Sequence, residues 1–187
     1  MARSSDGLDD VSSARRGLFW GVSALIVALD YVTKRWAEAS LTRFPREVLG
    51  DGVRFSLVYN PGAAFGVHFG PYSRIIFGVL TIAALVVLYR LYQATRNGDW
   101  PRLLALGMVC GGAVGNLIDR VRSATGVVDF IDVGVADHRW PTFNVADMGV
   151  SVGAMLLAWV LWGEDQQAAA AQAPVSAKPS SPPPGTP

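Results

Sequence analysis

Charged and uncharged positions along this chain fall in blocks. Residues 18–29, 75–89, 103–118 and 148–163 together hold 59 positions without one Asp, Glu, Lys or Arg. At the chain's overall 17% charge, a random draw of that size would carry about ten. Each block, with its interfacial ends, approaches the ~20 residues that cross ~30 Å of hydrocarbon as a helix. The pattern therefore predicts four spans, over about Leu18–Ala37, Tyr72–Tyr92, Pro101–Ile118 and Ala146–Gly163. An even number of spans puts both termini on one side. Gly107, Gly111 and Gly115 recur every four residues on the third span, with Gly149 and Gly153 on the fourth. That spacing lets helix backbones approach closely, so a tight four-helix bundle is expected.

The polar segments between the blocks differ in kind. Spans two and three are joined by a short turn around Asn97-Gly98-Asp99. The other two connections, about residues 38–71 and 119–145, are long and lie on the same side of the bundle. Each holds a strand-like stretch, Val53-Arg54-Phe55-Ser56-Leu57-Val58-Tyr59 and Val127-Val128-Asp129-Phe130-Ile131-Asp132-Val133. The expected fold is thus a mainly α membrane protein: four transmembrane helices with a small β-rich cap on one face. Residues 17–163 form the membrane domain. Residues 1–16 are a polar N-terminal segment, and residues 164–187, which hold six of the eleven prolines, are expected to be a disordered tail. Ala37-Glu38-Ala39 has the form of a signal-peptide cleavage site, but Asp30, Lys34 and Arg35 intervene after the apolar run, which argues for a retained helix.

Composition narrows the function classes. The chain has 187 residues, 51% of them hydrophobic, with mean hydropathy +0.31 and formal charge +1. That charge offers no basic patch for nucleic acid. One cysteine, Cys110, excludes an internal disulfide framework and a Cys-rich zinc site. With only His68 and His138, and no H-E-x-x-H, a zinc-protease helix is absent too. Basic residues are spread over both faces, so the positive-inside rule gives no clear orientation; Arg15-Arg16 and the short Arg96–Arg102 loop favour cytoplasmic termini.

Ionisable residues at the edges of membrane spans ask for an explanation. Asp30 and Lys34 lie four apart on one helix face. They are either an interfacial ion pair with Lys34 snorkelling outward, or a brace under the cap. The segment Tyr59-Asn60-Pro61-Gly62-Ala63-Ala64-Phe65-Gly66 is either a loop on the bilayer surface or a lining for an extended peptide. Asp119-Arg120 closes the third span as a structural pair, and Asn116 needs a hydrogen-bond partner at the hydrocarbon edge. Strand alternation puts Asp129 on one face with Val127, Ile131 and Val133, and turns Asp132 the other way. Asp129 among apolar neighbours is desolvated, which favours its neutral form. Asp147 opens the fourth span within Phe143-Asn144-Val145-Ala146-Asp147, where helix capping by Asn144 with Asp147 three residues later is the plain account. At a membrane edge, with Asp129 a second half-buried carboxyl, a paired site is the better reading. Two carboxyls sharing one proton can hydrolyse a peptide bond without metal or cofactor. Ser151, formally G-x-S-x-G, sits within an apolar helix with no histidine and reads as packing.

In this order the motifs resemble the lipoprotein signal peptidase family, bacterial signal peptidase II. They are Asp30 with Lys34, Asn60-Pro61-Gly62-Ala63-Ala64-Phe65-Gly66, Gly115-Asn116-Leu117-Ile118-Asp119-Arg120, Val127-Val128-Asp129-Phe130 and Phe143-Asn144-Val145-Ala146-Asp147, and they cover about residues 17–163. The resemblance implies an aspartic endopeptidase of the inner membrane with Asp129 and Asp147 as catalytic dyad. Asp30, Lys34, Asn60, Gly62, Asn116, Asp119, Arg120, Asn144 and Ala146 would support or line the site. It implies diacylglyceryl-modified prolipoproteins as substrates, cut before the lipid-bearing cysteine, contact with membrane lipid, no nucleic acid, no cofactor and a monomer. Both termini would be cytoplasmic and the site extracytoplasmic. The alternative is a small transporter or channel with interfacial carboxylates as ion sites, whose signature would be charges deep in the spans, broken helices or repeats.

Overall fold

The apolar blocks form four helices: α1 (Asp6–Ser40), α2 (Ser73–Ala94), α3 (Trp100–Arg122) and α4 (Val145–Gln172). The structure is a computed structural model and describes residues 6–41, 45–50, 52–62 and 69–172, with side chains from residue 13 to 171. All four helices are long and apolar enough to cross a membrane. Their outward side chains, such as Ile75, Val79, Ile82 and Val86 on α2, stay exposed, as a lipid-facing surface requires.

Helix α3 is the hub. It packs on α1, α2 and α4, whereas α2 has substantial helix packing with α3 alone. The glycines divide the work. A Cβ at Gly111 would lie 2.7 Å from Ser23 O and 2.8 Å from Ile26 Cβ, so α1 can reach α3 only without it. Ser23 Oγ then donates to Phe19 O at 2.9 Å and to Gly107 O at 3.0 Å across that contact. Gly112, Gly149 and Gly153 serve the α3–α4 contact in the same way.

Two boundaries differ from expectation. Helix α1 begins at Asp6, so residues 6–16 of the polar N-terminal segment are helical and continuous with the first span. Helix α4 continues to Gln172, so the disorder expected from Glu164 onward does not hold as far as that residue. Hydropathy marks where a helix leaves hydrocarbon, not where its hydrogen bonds stop, and the Gln/Ala run 166–172 is built from strong helix formers. The proline-rich residues 173–187 lie outside the described residues. Between α2 and α3 the short turn is as expected: Gly98 has φ 90° and Asp99 caps α3 by accepting from the Arg102 N–H at 3.3 Å.

The cap is a four-stranded antiparallel sheet in the order β1 (Arg46–Leu49), β2 (Val53–Asn60), β3 (Val127–Val135), β4 (His138–Arg139). The two central strands are those read from the sequence; the short edge strands, four and two residues long, carry no alternation to detect. Phe130 on one face of β3 is buried with Ala37 and Leu41 at the end of α1. Trp36 and Phe55 close around it, their ring centroids 5.2 Å apart. The sheet is thereby seated on α1. Asp132 is held by Arg139, Nε to Oδ1 2.9 Å, in a second arrangement independent of Asp129.

Candidate active site

Three backbone features converge on Asp129. In the β2–β3 ladder Asn60 pairs with Val127 and Val58 with Asp129, so Asn60 and Asp129 are diagonal neighbours on one face. Gly126 opens β3 with φ 125°, and a Cβ there would run into the Asn60 carbonyl; only glycine lets the strands approach so closely. The segment before α4 then pairs with β3. Phe130 and Ile131 N–H donate to Phe143 O at 3.0 and 2.8 Å, which delivers Asn144 beside Asp129.

Asn144 caps α4 in the reciprocal manner expected from the sequence. Asp147 N–H donates to Asn144 Oδ1 at 2.9 Å, and Asn144 N–H donates to Asp147 Oδ2 at 3.1 Å. Its side-chain amide meanwhile donates to Asp129 Oδ1 at 2.6 Å. One asparagine thus holds both carboxyls. Their other oxygens are served by two more asparagines, Asn60 Nδ2 to Asp129 Oδ2 at 3.1 Å and Asn116 Nδ2 to Asp147 Oδ1 at 2.8 Å.

An amide can turn either end to a carboxylate, so something must fix its polarity. For Asn60 it is the Gly62 N–H, which donates to Oδ1 at 3.0 Å. For Asn116 it is chiefly Lys34, whose Nζ donates to Oδ1 at 2.9 Å, with Asn144 Nδ2 donating to the same oxygen at 3.2 Å. An ammonium has no acceptor, so the Asn116 Nδ2 is left for Asp147. Lys34 also contacts Asp30 at 2.8 Å and Asp119 at 3.0 Å, with 1% of its side chain exposed. The snorkelling reading of Lys34 is therefore overturned: it points inward because three acceptors wait there. Asp30 Oδ1 accepts from Ala146 N–H at 2.9 Å, and Gly115 leaves it room. Asp119 Oδ2 accepts from Val128 N–H at 3.1 Å. This buried network ties α1, α3, β3 and the start of α4 together. Arg120 spans the neighbouring carbonyls, Nη1 to Asn116 O at 3.1 Å and Nη2 to Gly62 O at 3.2 Å. Residues 63–66 of the same loop motif lie outside the described residues.

Burial, and then the charge of Asp147, push the Asp129 carboxyl up to about 7, against the opposing pull of the Asn60 and Asn144 amides. Asp147 sits at the N-terminus of α4, where negative charge is favoured. A carboxyl whose surroundings favour its proton thus lies near a second carboxyl at a helix N-terminus. Both line a cavity of about 790 Å³ between α2 and α4, with α3 as its floor. It runs from Asn116 past Ala113 to Val109 on α3, a depth of ~10 Å at 1.5 Å per residue.

The family model for signal peptidase (SPase) II matches residues 22–163. The chain belongs to the signal peptidase II family. Among its relatives, the lipoprotein signal peptidase of Cellvibrio japonicus is 39% identical over 142 residues, covering 74% of this chain and 83% of that protein. That of Rhodococcus jostii is 38% identical over 153 residues, covering 79% and 73%. A solved structure titled as a bacterial membrane enzyme, determined by the in meso method at 2.3 Å, superposes with TM-score 0.73 at 28% identity, covering 81% of this chain and 91% of that one. As a signal peptidase II the protein is a multi-pass bacterial membrane aspartic endopeptidase. The ion-site alternative gains no support.

Every site residue read from the sequence falls in this one network, apart from Ser151, whose packing reading is corrected. Gly149 and Gly153 take the packing face of α4, while Ser151 is exposed and lines the cavity one turn below Asp147. The i,i+4 spacing from Asp147 to Ser151 was the available signal. The sequence reading missed the wall supplied by Thr81, Ala84 and Leu88 of α2, and Trp140 and Thr142 at the mouth. A uniformly apolar span such as α2 does not reveal which side faces a site.

Proposed function

We propose that this signal peptidase II removes signal peptides from diacylglyceryl-modified prolipoproteins, cutting N-terminal to the lipid-bearing cysteine, with Asp129 and Asp147 as its dyad. The observation that carries the reading is the pair of carboxyls joined through Asn144 at the head of a groove inside the membrane domain. A signal helix and two acyl chains are both bilayer-soluble, so such a groove receives the substrate sideways and presents its scissile bond at the interface. Asp147, ionised, takes a proton from the attacking water while Asp129 gives its proton to the carbonyl oxygen. The tetrahedral gem-diol then collapses as Asp147 gives the proton it took from water to the leaving amine and a gem-diol hydroxyl returns a proton to Asp129, which restores the dyad. Neither step needs a metal.

Purified protein should cleave a lipidated precursor far better than the same precursor with an unmodified cysteine, and EDTA should not slow it. Ser151→Ala, Cys110→Ala and His138→Ala should retain near-normal turnover. Loss of activity with chelator, or in any of these variants, would refute the metal-free aspartic mechanism.

In this reading both termini lie in the cytoplasm and the cap lies outside. Support comes from the even number of spans, the Arg15-Arg16 pair and the short Arg96–Arg102 loop. In a Cys110→Ala background, Ser40→Cys should react with an impermeant thiol reagent in osmotically opened cells, and Ser176→Cys only after the inner membrane is broken. The reverse labelling would put the dyad on the wrong side for exported precursors and defeat the assignment.

A further inference from the structure

A second groove lies between α1 and α2, with Cys110 and Val114 of α3 at its floor. It has a volume of about 610 Å³ and shares no lining residue with the cavity at the dyad. It exists because α2 packs on α3 and meets α1 only towards its end, where the Tyr92 ring stacks on Phe19 at 4.2 Å. Its character changes along its length. Ile82, Leu85 and Val86 make the inner part apolar, Trp20 and Tyr89 follow, and Arg90 and Gln93 form the end nearest the two chain termini.

We infer that this groove holds one acyl chain of an anionic phospholipid, from the leaflet on the side of the termini, with its phosphate at Arg90. Three observations carry this. The first is length. From Ile82 to Gln93 the groove follows eleven residues of α2, ~16 Å at 1.5 Å per residue, and half of a ~30 Å hydrocarbon layer is the depth of one leaflet. The second is the order of chemistry, apolar then aromatic then cationic, which is the order a phospholipid presents from tail to headgroup. The third is an unengaged charge. Arg15, next to this end, is committed: it lies over the Tyr92 ring at 4.8 Å and donates to the Tyr92 and Gln93 carbonyls. Arg90 is exposed and makes no hydrogen bond, ion pair or ring contact with the described residues. Of the described carboxylates at that end, Asp99 and Glu164 are both held by Arg102, and the exposed Asp165 makes no ion pair with Arg90. The cationic end therefore selects an anionic headgroup over a zwitterionic one.

Native mass spectrometry of the full chain, with equimolar phosphatidylglycerol and phosphatidylethanolamine, tests this. Phosphatidylglycerol should be retained about fivefold over phosphatidylethanolamine, the worth of one Arg near a headgroup. Arg90→Gln should remove that preference. Val86→Trp, at an exposed position inside the groove, should remove both adducts; Ile82→Trp, also exposed, is the second occluding variant should the first not insert. Prolipoprotein cleavage should be unchanged in all three, because the two grooves are separate, and serves as the control for folding. Equal retention of the two lipids overturns the inference, as does a preference that survives Arg90→Gln or both occluding variants. A dimer that dissociates on Val86→Trp would overturn it too, by making a second copy the occupant.

Discussion

Asp129→Asn and Asp147→Asn should each slow cleavage by a factor of about 10³ or more while leaving the folded, inserted protein intact. The two steps of the mechanism need one carboxyl that gives a proton and one that takes it, and an amide does neither. The fold should survive because the change is isosteric and the amide oxygen keeps one of the two hydrogen bonds that each carboxyl accepts. An asparagine at 147 still accepts the Asn144 N–H that now binds Asp147 Oδ2 at 3.1 Å. The double variant should be within a few-fold of either single one, since removing half of a unit removes the unit. The pH profile follows from Asp129. Its carboxyl holds its proton up to about 7, so kcat/KM should fall as pH rises through that value and the dyad becomes doubly charged. Asp132→Asn, whose carboxylate answers to Arg139, should have a mild effect. A single dyad variant with a tenth of normal turnover would remove the assignment.

Lys34→Met should cost both stability and rate. It leaves the Asp30 and Asp119 carboxylates facing each other, both almost fully buried, and removing one partner from a buried ion pair costs about 3–5 kcal/mol. For a chain of this size that corresponds to a fall in unfolding midpoint of about 10 °C in detergent. Turnover should fall further than folding alone explains, because Asn116 loses the shorter of the two donors that fix its amide, keeping only Asn144 Nδ2 at 3.2 Å. Asp30→Asn added to Lys34→Met should recover part of the midpoint, since one unpaired charge is gone. If the double variant is no more stable than Lys34→Met, the ionic network is not what holds this corner of the protein.

Much of the fold was legible because the bilayer demands long uncharged blocks, and four of them stand out in the sequence. The site was legible for a related reason. A carboxylate or amide at a membrane edge is expensive enough that its presence signals a role, as Asn116, Asp129 and Asp147 did. What escaped reading was whatever depends on direction. Lys34 lies one turn from Asp30, and the spacing is the same whether the ammonium reaches out to water or in to Asp119 and Asn116. Ser151 stands between two glycines, and only the packed structure tells which side of α4 each residue occupies. The ends of α1 and α4 escaped because a helix can outlast its apolar block.

Asn144 has a consequence for an enzyme whose solvent is not constant. Helices tilt and shift when a bilayer thickens, thins or changes its lipids, and distances between residues on separate spans follow. Asp129 and Asp147 do not depend on such a distance. One rides on β3, the other on the first turn of α4, and the backbone pairing of Phe143 with Ile131 plus a single amide joins the two. The spacing of the carboxyls is thus inherited from a short stretch of chain, insulated from the membrane around it. Changes in growth temperature or lipid composition should therefore alter how substrates enter the groove before they alter the chemistry done there.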